Sequence, residues 1–130
     1  MKKCTVAELR NMTFGKHDKP NRFYSDEQDI RGKKVDNWSH LSRLFVQWLI
    51  DNHFISLEKL PVPDHRGHGK DFINIKDQHE IQERGGFWGK VGPYYVDTKY
   101  NADDHIKNIL STLRHLEVAN PQFQISFHPD

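Results

Sequence analysis

The sequence predicts an α+β fold, two amphipathic helices packed on a small, mainly antiparallel sheet. Three observations carry that expectation. Apolar residues recur at helical spacing in two stretches, from Trp38 to Leu49 and from Ile106 to Leu116. They alternate with polar residues at strand spacing around Phe72, Tyr95 and Ile125. The chain's 130 residues are enough to bury one core without disulfides or metals, so a single domain over 1–130 is expected.

Composition narrows the class. With 35% hydrophobic residues and a mean hydropathy of −0.84, the chain is wetter than an average globular domain, yet its 12% aromatic content argues against disorder. Residues 1–35 hold nine Lys and Arg against five Asp and Glu, whereas 36–130 hold ten against thirteen, so the net +1 hides a basic N-terminal third. One cysteine, Cys4, cannot form an internal disulfide, and no apolar run approaches the ~20 residues that cross a bilayer. Polar residues follow Met1-Lys2-Lys3 where a leader would be apolar. The expected setting is the reducing cytoplasm, with no membrane partner.

In chain order, residues 15–35 combine turn formers and solvated charges with few apolar anchors and are expected to be loop-rich and mobile. Trp38, Leu41, Leu44, Phe45, Trp48 and Leu49 then form one stripe, which predicts a helix over 37–52 with Asp36 or Asn37 as its cap and Asn52-His53 at its end. Two prolines and two glycines between Leu60 and Lys70 exclude helix and predict an extended segment with a turn. Asp71 to Ile75 alternates like a half-buried strand. A helix followed by a glycine-rich turn between extended segments also matches a winged-helix-like element. Gly86 to Tyr100 reads as two strands around a turn at Gly89–Pro93, Asn101 with Asp104 opens a helix over 102–117, and Phe123, Ile125 and Phe127 predict a final strand.

Three constellations could carry chemistry. Asp97 and Lys99, two apart on an apolar strand, would share one face, where a carboxylate holds Mg²⁺ and an ammonium positions water. They resemble half of the PD-(D/E)xK nuclease signature, with Pro63-Asp64 as the other half and Asp71 or Glu80 as substitutes. The competing reading is an ion pair facing solvent on a sheet surface. Second, His65 and His68 beside Asp64, with His79 further on, could ligate zinc, although three or four ligands on rigid elements are needed and a glycine-flanked loop is a poor frame. His40, His105 and His115 lie near helix ends, where exposed histidines need no function. Third, His65, Arg66, His68 and Lys70 in one glycine-rich loop could reach a groove or phosphate, and Arg31, Lys33 and Lys34, with Lys16, Lys19 and Arg22, supply a second basic surface. Solubilising loop charges are the alternative.

Thr13-Phe14-Gly15, Asn37-Trp38-Ser39-His40-Leu41, the turn from Leu60 to Asn74, and Tyr94 to Tyr100 followed by Asp104-His105-Ile106 together resemble a small α+β module of bacterial restriction-modification and phage-defence proteins. The likeness spans most of 13–127 and rests on scaffold positions. It implies a part in DNA processing and names no catalytic residue. The expected function is a non-enzymatic nucleic-acid-binding module for double-stranded DNA, with no cofactor. A Mg-dependent nuclease using Asp97, Lys99 and Asp64, and a protein-binding regulatory module, are the alternatives.

Overall fold

The computed structural model describes residues 2–79 and 86–129. These residues form an α+β structure, with three helices and two small antiparallel sheets among them. A short strand β1 (Lys3–Thr5) runs into a one-turn helix α1 (Val6–Leu9), in which Thr5 and Glu8 form a reciprocal capping box. Strands β2 (Pro20–Tyr24) and β3 (Lys33–Lys34) follow, then helix α2 (Trp38–Asp51). After a 3₁₀ turn at Leu57–Lys59 come β4 (Val62–Pro63), β5 (Asp71–Asn74), β6 (Trp88–Val91) and β7 (Tyr94–Asp97). Helix α3 (Ala102–His115) and strand β8 (Gln124–Phe127) complete the order.

Both long helices begin where the sequence places them. Asn37 caps α2 by accepting from the His40 amide, and Asn101 caps α3 by accepting from the Asp104 amide. Asp103 and Asp104 in the first turn of α3, with Arg114 and His115 in its last, complement the helix dipole. Val91 pairs with Tyr94, so the β6–β7 hairpin closes on Gly92-Pro93, and Gly92 takes the φ of 56° that a two-residue hairpin turn asks of its first position.

The strands divide into two sheets where one was expected. One has the order β1-β8-β2-β3, the other β4-β5-β7-β6. The C-terminal strand β8 pairs with β1 and β2 instead of with the central strands, so Ile125 faces Cys4 on one side and Phe23 on the other. Helix α2 packs against β2 of the first sheet and β6 and β7 of the second, and α3 packs on α2 and β4. The two sheets therefore share one helical layer. Leu41, Phe45 and Leu49 of α2 and Ile106, Ile109 and Leu113 of α3 are buried in it, beside Ile73, Val96, Phe123 and Ile125. Tyr95 of β7 is half-buried, with the Lys90 ammonium 5.6 Å from its ring centroid.

Residues 15–35 contain β2 and β3 and are tied to α2. Trp38 Nε1 donates to the Asp18 carbonyl at 3.0 Å, and Trp48 Nε1 donates to the Ser25 carbonyl at 2.9 Å. Trp38 is half-buried, its ring stacked on His105, edge-on to Phe14 and tilted against Phe127. Among the described residues no helix is long and apolar enough to cross a membrane.

Candidate functional site

Antiparallel pairing brings the sequence's scattered candidates to one end of the second sheet. Pro63 pairs with Asp71 and Trp88 pairs with Asp97, so the end of β4, the start of β5, the end of β7 and the start of β6 all meet there. The first turn of α3 closes this end from the side, since His65 and Arg66 both reach Asp104.

The loop 64–70 is held at several points. The Asp64 amide donates to the Lys70 carbonyl at 3.0 Å, and Asp64 Oδ1 accepts from the amides of Arg66 and Gly67 at 3.1 Å each. His65 donates its backbone N–H to Asn108 Oδ1 at 2.9 Å and places Nε2 2.7 Å from Asp104 Oδ1. Arg66 Nη2 donates to Asp104 Oδ2 at 3.0 Å. The glycines, which suggested an unsupported loop, sit in a segment that a buried helix turn holds in place. Arg66 and His68 are exposed and Lys70 half-buried.

Asp97 corrects the expectation that it shares a solvent-facing surface with Lys99. It is 2% exposed, and its Oδ1 accepts from the amides of Phe87 at 3.1 Å and Lys99 at 3.0 Å. A side chain at Gly86 would place its Cβ 2.5 Å from Oδ1, so only glycine lets the backbone lie on this carboxylate. His79, also buried, accepts the Asp71 amide at Nδ1 (2.8 Å), which puts the ring proton on Nε2. That atom lies 3.3 Å from Asp97 Oδ2, an electrostatic contact without hydrogen-bond alignment. Strand β7 ends at Asp97, and the chain turns so that Lys99 projects outward, its Nζ 5.8 Å from the Phe87 ring centroid.

Asp64, the second carboxylate of the nuclease reading, is also buried, and its Oδ2 accepts from the Tyr100 hydroxyl at 3.1 Å. Burial, then the nearby carboxylates of Asp64 and Asp97, push the Tyr100 hydroxyl far above its ordinary range, so it stays a donor. The three histidines of the zinc reading separate: His65 faces Asp104, His79 faces Asp97, and His68 lies exposed at the loop tip. Among the described residues no group of three or more His, Cys, Asp or Glu is placed to hold a metal ion. Asp71 is buried at the start of β5, and Glu80 lies outside the described residues. His105, expected on the surface, is 1% exposed, with Nδ1 2.7 Å from Ser42 Oγ.

In front of this buried acidic layer lies an open cleft of about 540 Å³ whose walls include Arg66, Lys70, Phe87, Lys99, Tyr100 and Asp104. Among the described residues three cations line it, Arg66, Lys70 and Lys99, and the carboxylate in its wall, the buried Asp104, is already engaged by His65 and Arg66. Phe87 and Lys99 as cleft residues were not legible as such, because their meeting with loop 64–70 depends on strand pairing. Lys33 and Lys34 form the edge strand of the other sheet, with the Arg31 carbonyl accepting from Arg22 Nη1, so the second basic surface belongs to a different sheet from the cleft. Comparison with protein-family models, with characterised proteins and with solved structures finds no match to this chain.

Proposed function

We propose that the protein is a non-enzymatic nucleic-acid-binding module whose contact surface is the cleft end of the second sheet. The observation that carries this reading is the convergence of Arg66, Lys70 and Lys99 on one cleft beside an exposed aromatic ring, in a chain whose net charge is only +1. A local group of cations attracts a phosphate backbone even where the whole molecule is nearly neutral. In this reading the β4–β5 hairpin with loop 64–70 acts as a wing-like element against DNA, His68 extends the contact at its tip, and Arg31, Lys33 and Lys34 form a secondary basic surface. The likeness of its scaffold residues to the restriction-modification and phage-defence module supports a place in a cytoplasmic DNA-processing system.

The test is fluorescence anisotropy on short duplexes of unrelated sequence, across salt concentration. The Arg66→Ala/Lys70→Ala double variant is expected to lose affinity alike for every sequence, with a salt slope shallower by about one to two units. Binding that the double variant leaves unchanged would refute the reading.

A further inference from the structure

We infer that the cleft accepts one nucleotide with an unpaired base, the base stacking on Phe87 and the phosphate lying between Arg66, Lys70 and Lys99. The inference rests on the nucleic-acid reading above and goes further, because it names the form of nucleic acid the cleft takes.

Phe87 is 67% exposed, yet both its backbone polar groups are hydrogen-bonded. Its amide donates to Asp97 Oδ1 at 3.1 Å, and its carbonyl accepts from the Thr98 amide at 2.7 Å and the Thr98 hydroxyl at 2.8 Å. A large apolar ring on a fixed stalk costs exposure without contributing to the core. Such a ring suits a flat partner, since a preorganised platform loses little entropy on binding. Lys99 Nζ lies over that ring, 5.8 Å from its centroid, so a base stacking on this face displaces an exposed, flexible ammonium that is then free to pair with the nucleotide's phosphate. Across the cleft, Asp104 fixes Arg66 at 3.0 Å, and the loop closure from Asp64 to Lys70 sets the position of Lys70. The cleft's volume of about 540 Å³ suits a small-molecule-sized group, which spans roughly 300–1,000 Å³. A base inside a duplex offers edges to a protein and keeps its faces in the stack, whereas an unpaired base offers a face. An aromatic platform flanked by cations therefore favours a single strand, a frayed end or a free nucleotide.

The experiment measures anisotropy with a labelled 12-nucleotide single strand, the corresponding blunt duplex, and deoxyadenosine monophosphate as competitor. The single strand is expected to bind about ten-fold more tightly than the duplex, Phe87→Ala to abolish that preference while changing duplex affinity little, and Phe87→Trp to retain it. Because the Phe87 ring is exposed, its removal leaves the core intact. Competition by the mononucleotide would support the cleft as a site for one base and its phosphate, and displacement of the strand only far above the strand's own Kd would assign the ligand to a strand. Equal affinity for strand and duplex, or a preference indifferent to Phe87→Ala, would overturn the inference while leaving the nucleic-acid reading in place. Absence of binding to any of the three probes would overturn both.

Discussion

Acidification from pH 7 to pH 5 should destabilise the protein through His105. The ring is buried in α3, with Ser42 Oγ 2.7 Å from its Nδ1, Trp38 stacked on it at 6.2 Å and Tyr100 edge-on at 6.0 Å. Burial lowers its pKa to about 4, against the pull of the backbone at Thr98 and Tyr100 and of the Asp104 carboxylate, which favour the charged form. An unfolded chain binds this proton near pH 6.5, so below that value the unfolded state takes up a proton that the folded state refuses. Stability is therefore complete above about pH 6.5 and falls until the folded ring titrates near pH 4. The full loss is about 3 kcal/mol, of which about 2 kcal/mol falls between pH 7 and pH 5. Carboxylates contribute lower down: Glu8, held at about 2 by Lys2 and the Thr5 amide, loses its contribution only as pH falls below the ordinary carboxylate range. Urea denaturation at half-unit pH intervals measures the effect, with His105→Gln as the variant that should flatten the slope between pH 7 and pH 5. Identical slopes in the two proteins, or a gain in stability on acidification, would refute the buried neutral histidine.

Two substitutions probe the core and the layer behind the cleft, beside the Arg66/Lys70 and Phe87 variants. Trp48→Ala should cost about 3–5 kcal/mol in urea unfolding, because the indole packs edge-on against Phe123 at 5.0 Å, touches Phe54 and donates to the Ser25 carbonyl; an effect below about 1 kcal/mol would contradict its place in the core. Asp97→Ala should destabilise by about 3–5 kcal/mol, since it strands the amides of Phe87 and Lys99 and removes the partner of His79. Mg²⁺-dependent cleavage of DNA that disappears in this variant, with stability unchanged, would overturn the structural role and favour a nuclease.

Periodicity and caps in the sequence determined the two long helices to within two residues, because an amphipathic stripe and its capping Asn37 or Asn101 are local signals. Strand β6 continues through Gly89 to Val91, residues that the glycines assign to the turn, because cross-strand pairing with β7 holds them extended, whereas β5, β7 and β8 were legible from their alternation. The N-terminal strands were not: β3 has two residues and β1 three, too short to alternate, although Thr5 and Glu8 carried a readable capping box. Tertiary structure alone decided that β8 joins β1 and β2 to make a second sheet, since pairing partners far apart in sequence leave no local trace. It also decided the fate of each charged residue. Asp97 and Lys99 are two apart in a chain that should place them on one face, yet β7 ends at Asp97. Backbone amides and the bare backbone of Gly86 then draw its carboxylate inward, while Lys99 turns out toward Phe87. Spacing fixes direction only while a strand continues, and burial of a charge depends on which donors the rest of the fold brings to it.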